Sequence, residues 1–222
     1  MSRVLLVEDD PSLGRTLAER LAKEQLDVTW VQTIAAGEAA LASGRWDLAI
    51  VDVKLPDGSG FGLARRIKQS SLTPIMFMTA LNSAENRLEG FEIGADEYLP
   101  KPFHLKEFLI RVRHVLTTQR VPEVVTVAGR QLDLGALSVV RPDGTTAFLQ
   151  VRDARVLRLL LSAAPNVVER TTVLDRAWTG DEAPTARAVD NAIVRIRQAL
   201  QDDEGELIRS VRGIGYQWVG KT

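Results

Sequence analysis

The chain of 222 residues has no cysteine and only two histidines, His104 and His114. Without thiols there is no disulfide framework and no thiolate metal site, and two imidazoles are too few for an ordinary zinc centre. No apolar run approaches the ~18–20 residues needed to cross a bilayer, so no membrane-spanning helix is expected. The opening MSRVLLVEDD meets acid too early for a secretory signal, and a cytoplasmic location is expected. Charge of one sign is missing too: 28 basic side chains face 29 acidic ones. Residues 1–118 carry 14 basic and 16 acidic side chains, and residues 119–222 carry 14 and 13. Neither half is a polycationic tail, so any contact with nucleic acid has to come from a local patch.

What is present is an ordinary folded composition, 45% hydrophobic and 26% charged, long enough for one large domain or two small ones. Residues 1–118 alternate short apolar runs (4–7, 28–31, 48–51, 75–78 and a weaker 98–99) with amphipathic stretches (12–22, 35–42, 60–68, 83–92 and 105–116). Strands without polar interruption are covered on both faces, which predicts a doubly wound parallel sheet. Five such units fit a flavodoxin-like (βα)5 domain of the α/β class, with its ligand site at the carboxyl ends of the strands.

The rhythm then changes. Residues 119–123, with Pro122 among polar neighbours, read as a linker. Residues 124–222 read as a separate α+β domain. Short strands (124–127, 131–134, 138–140 and 146–149) are punctuated by Gly129, Gly135 and the Pro142-Asp143-Gly144 turn. Helical patterns follow at 152–163, 171–178 and 185–200, and a terminal hairpin joins 207–212 to 216–219 through Gly213 and Gly215. Strands, three helices and a hairpin predict a winged helix-turn-helix.

Chemistry collects at the predicted strand ends: Glu8-Asp9-Asp10 after the first, Asp52 at the third, Thr79 at the fourth and Lys101 at the fifth. In a parallel sheet these converge on one rim. Clustered carboxylates repel unless a hard cation sits between them, and Mg²⁺ suits oxygen ligands. A carboxylate facing that ion can attack a phosphoryl group, while Lys101 and Thr79 stabilise the equatorial oxygens. The bland alternative is that each acid merely caps the following helix. An aspartyl-phosphate hydrolase fits poorly, because such enzymes usually place nucleophile and acid two residues apart after the first strand, whereas here the nucleophile candidate sits on the third.

The segments VEDD, IVDVKLPDGSG, MTA and DEYLPKPF, in this order and spacing, resemble the receiver domain of two-component response regulators. The resemblance implies that Asp52 accepts a phosphoryl group from a sensor histidine kinase. It implies Mg²⁺ held by Glu8, Asp9, Asp52 and the backbone carbonyl of Lys54, with Thr79 and Lys101 sensing the phosphoryl group. Tyr98 stands where the family keeps a switch aromatic; the alternative is a static, half-buried ring. Asp10 is expected to start the first helix. Leu81, too apolar to orient water, predicts slow hydrolysis of the aspartyl phosphate. In OmpR/PhoB-type regulators the face built from the fourth and fifth helices forms a homodimer on phosphorylation. Arg87, Glu92, Glu97, Glu107, Arg111 and Arg113 carry matching charges, with Arg87–Glu107 and Glu97–Arg111 the expected pairs between subunits.

In TARAVDNAIVRIRQAL (185–200), Val189, Ile193, Ile196 and Leu200 form one apolar stripe. The opposite face collects Arg187, Asn191, Val194 and Gln198, flanked by Arg195 and Arg197. Such a donor-rich face can enter a major groove of double-stranded DNA. Asp190 is the discordant residue, and two readings stand: it accepts from cytosine, or, the better fit, it orients a neighbouring arginine. Arg212, at the tip of the VRGIGY hairpin, can reach a minor groove. AVDNAIVRIRQAL and VRGIGY resemble the winged-helix effector domain of the same family, whose loop between the last two helices touches RNA polymerase. The corresponding segment here, 179–184, is brief. Trp178 before it is expected to anchor the core.

Overall fold

The computed structural model describes residues 1–80, 88–90, 92–118, 124–178 and 185–220. The chain divides into two compact units, Met1–Gln119 and Arg120–Thr222. The linker reading of 119–123, Arg87, Leu81 and the 179–184 loop lie outside the described residues.

In the first unit β1 (Arg3–Val7), β2 (Asp27–Val31), β3 (Leu48–Asp52), β6 (Ile75–Thr79) and β7 (Glu97–Pro100) form a parallel sheet of order β2-β1-β3-β6-β7. A small antiparallel ladder, β4 (Lys54–Leu55) with β5 (Gly58–Ser59), was not foreseen; two-residue strands leave no periodic signal. The helices are α1 (Pro11–Lys23), α2 (Ile34–Ala42), α3 (Gly60–Ser70) and α4 (Leu105–Thr118), with a further short helical stretch at residues 88–90 and 92.

Alternation along each strand feeds two cores. Leu5, Val7, Ala49, Val51, Ile75 and Phe77 pack with Phe61, Leu63 and Ile67 of α3. Val4, Leu6, Leu48, Ile50, Met76 and Met78 point to the other face, against Leu17 and Leu21 of α1 and Phe108 and Val112 of α4. Because both faces of β1, β3 and β6 are buried, their residues are apolar at nearly every position, which produces the uninterrupted runs in the sequence. Asp10 caps α1, accepting from the main-chain N–H groups of Ser12 (2.8 Å) and Leu13 (3.0 Å), and Pro11 opens the first turn.

In the second unit β8 (Val124–Val127), β9 (Arg130–Asp133), β10 (Ser138–Val140) and β11 (Thr146–Phe148) form an antiparallel sheet of order β11-β10-β9-β8. Three helices follow: α5 (Val151–Ala163), α6 (Arg170–Ala177) and α7 (Ala186–Leu200). A second sheet, β12-β14-β13, joins the hairpin β13 (Ile208–Val211) and β14 (Gly215–Trp218) to β12 (Val167–Glu169). β12 escaped the sequence reading because three residues between two helices carry no period of their own. Val189, Ile193, Ile196 and Leu200 of α7 are buried together with Val156, Leu157 and Leu160 of α5 and Val173 of α6. The wing starts from a tight junction: a Cβ on Gly215 would lie 1.9 Å from the carbonyl oxygen of Val168, so only glycine fits where β14 meets β12.

Candidate functional site

At the carboxyl rim of the first sheet, Glu8 and Asp9 follow β1, Asp52 ends β3, Thr79 ends β6 and Lys101 follows β7. One carboxylate oxygen from each of Glu8, Asp9 and Asp52 lies within 4.8 Å of the others. Glu8 is fully buried and Asp52 nearly so, whereas Asp9 is exposed, which leaves the cluster open to solvent on one side. Lys101 Nζ donates to Asp52 Oδ2 at 2.5 Å and to Glu8 Oε2 at 2.7 Å. One ammonium against three carboxylates leaves a negative excess in a shielded place, and a donor set made only of oxygens fits a small hard divalent cation. Burial pushes the Glu8 carboxyl above its usual range, partly offset by the hydrogen bond from Lys101. Burial alone would lower the Lys101 ammonium, but hydrogen bonds to Asp52 and Glu8 outweigh it and hold the group above its ordinary value.

The backbone completes this site. The N–H of Lys54 donates to Asp52 Oδ1 at 3.1 Å, and the Lys54 side chain is exposed. A Cβ on Gly60 would meet the Asp52 carbonyl oxygen at 2.1 Å, so the start of α3 can approach the end of β3 only as glycine. Asp57 in the same loop accepts from the N–H groups of Ile34 and Ala35 at 2.9 and 3.0 Å, pinning the loop to the start of α2. Those two bonds hold its carboxyl below the usual range.

Thr79 is fully buried, and its carbonyl accepts from the Lys101 N–H at 2.6 Å. The Tyr98 ring points inward, 9% exposed, edge-on to Phe77 with centroids 6.4 Å apart. Two residues of β2 and its exit were missed by sequence reasoning. Trp30 Nε1 donates to the carbonyl of Glu8 at 2.9 Å, and Gln32 Nε2 reaches the carbonyl of Asp9 at 3.4 Å. Their only signal was an aromatic near a strand end.

The charged residues assigned to a shared face separate into two sets. Arg111 bonds Glu97 at 2.7 Å and Glu107 at 2.8 Å within the same chain, so Glu97–Arg111 is satisfied inside one molecule. Arg113, two residues on and so ~200° around the helix, turns instead to Glu24 beyond α1, at 3.3 Å. Glu92 is exposed, and so are Leu88 (59%) and Ile110 (54%).

On α7, Arg187, Asn191, Val194 and Gln198 are all exposed, the stripe expected from the sequence. Arg195 and Arg197, on the flanks of that stripe, also bond other elements of the domain. Arg195 forms a two-pronged ion pair with Asp153 of α5 at 2.8 and 2.6 Å, and that aspartate is 2% exposed. Arg197 donates to the Ile208 carbonyl at 2.6 Å and to Ser210 Oγ at 3.1 Å, tying α7 to the hairpin. Both guanidiniums have partners within the fold. Asp190 Oδ1 accepts from the Tyr216 hydroxyl at 2.5 Å and from Arg170 Nε at 3.1 Å. The Tyr216 bond, then Arg170, holds the Asp190 carboxyl below its usual range. Burial, then the Asp190 bond, pushes the Tyr216 phenol up.

The last carbonyls of α7 are capped from outside the helix. Arg141 donates to Ala199 at 2.9 Å and Gln198 at 3.0 Å, and Arg130 donates to Leu200 and Gln201. Arg212 and Ile214 are exposed in the hairpin turn. Trp178 is half-buried under the Arg152 guanidinium, 5.4 Å from its ring centroid. Among the described residues no helix is long and apolar enough to cross a membrane.

Comparison with known proteins agrees with this geometry. Residues 4–113 match the response regulator receiver domain, and residues 144–218 match the carboxy-terminal domain of transcriptional regulatory proteins. The transcriptional activator protein IrlR of Burkholderia pseudomallei is 33% identical over 217 residues, covering 96% of this chain and 94% of that protein. Among solved structures, DrrB of Thermotoga maritima, an OmpR/PhoB homologue, is 29% identical over 99% of this chain and all of that one, with a TM-score of 0.51. The non-phosphorylated HemR receiver domain of Leptospira biflexa is 48% identical over 53% of this chain and 95% of that one, also at a TM-score of 0.51. A receiver domain implies a sensor kinase as partner, and the carboxy-terminal domain implies DNA binding. With both halves matched in order and relatives aligned along nearly all of it, the chain belongs to the OmpR/PhoB-type two-component response regulators, which are transcription regulators and not enzymes.

Proposed function

We propose that Asp52 is the phosphoacceptor and that its phosphorylation controls how residues 124–222 engage DNA. The observation that carries this reading is the contact of Lys101 Nζ with both Asp52 and Glu8 beside exposed Asp9. An Asp52 oxygen attacks the phosphorus of a kinase phosphohistidine, the P–O bond forms as the P–N bond breaks, and the imidazole nitrogen keeps the electron pair. Glu8, Asp9, Asp52 and the Lys54 carbonyl would hold Mg²⁺, which when bound supplies positive charge to the equatorial oxygens. Lys101 exchanges one carboxylate contact for a phosphoryl oxygen, and Thr79 donates its hydroxyl to another. Movement of Thr79 frees space toward which Tyr98 settles further, shifting a pre-existing equilibrium.

That state dimerises through the face of the 88–92 stretch, β7 and α4. Exposed Leu88 and Ile110 supply apolar area, and Arg87, Glu92, Glu97, Glu107 and Arg111 supply the charges. Arg113 belongs to the same proposed set of interface charges and meets Glu24 within its own chain. Two effector domains then bind adjacent half-sites, the second contact being intramolecular. Arg187, Asn191, Val194 and Gln198 read the major groove, Arg212 enters the minor groove, and the 179–184 segment faces RNA polymerase. The protein works in the cytoplasm.

Intact-mass measurement after incubation with acetyl phosphate and Mg²⁺ tests the first link: one added phosphoryl group in wild type and none in Asp52→Ala. DNA affinity that is equal with and without the phosphodonor overturns the second.

A further inference from the structure

Besides Arg197, which ties α7 to β13, three side chains that lie off the exposed stripe join the wing to the reading helix. Tyr216 of β14 donates its hydroxyl to Asp190 Oδ1 of α7 at 2.5 Å. Arg170, first residue of α6, donates Nε to the same oxygen at 3.1 Å, and its guanidinium lies 4.9 Å from the centre of the Tyr216 ring. The main-chain N–H of Arg170 also donates to the carbonyl of Ile214 in the wing turn, at 3.2 Å. Arg170 therefore grips the wing by backbone and by ring, and grips α7 by the carboxylate.

Each contact is short-range and directional, and two donors share one acceptor oxygen. A rotation of the hairpin relative to α7 breaks the Tyr216–Asp190 bond, and Arg170, tied to the wing turn through Ile214, is pulled from the same oxygen if it follows. Asp190 immediately precedes Asn191, and Arg212 lies four residues before Tyr216. The trio thus links the helix that carries Asn191 to the hairpin that carries Arg212.

We infer that Arg170, Asp190 and Tyr216 are positioning residues that couple wing to reading helix, so that major-groove and minor-groove contacts form as one event. The inference rests on the proposed DNA reading of Asn191 and Arg212. Preorganisation of two contacts at a fixed spacing makes them non-additive: losing the coupler costs the benefit that each contact derives from the other.

The test is a double-mutant cycle in the full-length, phosphodonor-treated protein, with a duplex selected by wild type from a random-sequence pool. Arg212→Ala is expected to weaken binding about tenfold in wild type. In the Tyr216→Phe background, which keeps the ring and loses the hydroxyl, the same change is expected to cost only about two- to threefold. An equal Arg212→Ala penalty in both backgrounds overturns the coupling and leaves the groove assignments standing. No penalty in wild type overturns the minor-groove assignment itself, and the coupling with it. Arg170→Lys, which keeps the charge but loses the planar fork, repeats the cycle if Tyr216→Phe unfolds, with the same expected and overturning results.

Discussion

The indole N–H of Trp30 donates to the main-chain carbonyl of Glu8 across 2.9 Å, so the second strand holds the peptide that presents the acidic pair. Groups that orient metal ligands from behind change affinity by roughly 10–100-fold when removed. Trp30→Phe keeps an aromatic ring and loses the donor. Magnesium titration by calorimetry should show affinity lowered about tenfold, with far-ultraviolet circular dichroism unchanged.

Lys101 is the counter-cation of two nearly buried carboxylates, whose side chains are 1% and 8% exposed for Glu8 and Asp52. Removing one partner of a buried pair strands the rest, at about 3–5 kcal/mol. Lys101→Ala should lose stability of that order in chelator-treated buffer. Millimolar Mg²⁺ should return part of it, because a cation bound only by the folded state replaces the missing charge. Urea melts with and without the ion make the comparison.

Arg195 and Arg187 should separate fold from DNA contact. Arg195→Ala leaves Asp153 buried alone, and since Arg195 is 41% exposed the cost should be about 2 kcal/mol, below that of a fully buried pair. The salt dependence of DNA affinity should not move. Arg187→Ala should leave the melting temperature in place and flatten the salt slope by about one counterion if it meets phosphate. Thermal melts and binding isotherms at several salt concentrations read both.

The contrast between these arginines marks where sequence legibility stopped. Asp52, Thr79 and Lys101 could be assigned because strand ends of a parallel sheet meet at one rim, so order along the chain fixes neighbours in space. The α7 stripe was legible because 100° per residue fixes which side chains share a face. A helical wheel gives a direction and no partner: Asp153, 42 positions from Arg195, and the Ile208 carbonyl beside Arg197 come from tertiary packing. Arg111 and Arg113 were grouped by charge although they point to opposite sides of α4. Trp30 and β12 were invisible for the same reason, since their roles depend on neighbours remote in sequence.

The Asp190–Tyr216 bond sets a pH window for the effector domain. Asp190 titrates below its usual range in the folded chain, so its contribution is present above about pH 4 and is lost as acid protonates it. Tyr216 titrates above its usual value, so its contribution is full below about pH 10 and is lost as pH rises through the folded value. Asp190→Asn should blunt both flanks of a plot of melting temperature against pH, followed by the near-ultraviolet tyrosine and tryptophan signal.

Arg130 and Arg141 cap the last turn of the reading helix, yet both precede the stretch 144–218 by which the carboxy-terminal domain is recognised. The smallest autonomous DNA-binding fragment is therefore expected to start upstream of β8, near residue 120. A shorter one is expected to keep every residue of the exposed stripe and fray the helix that carries it, for want of two side chains that hold its last turn.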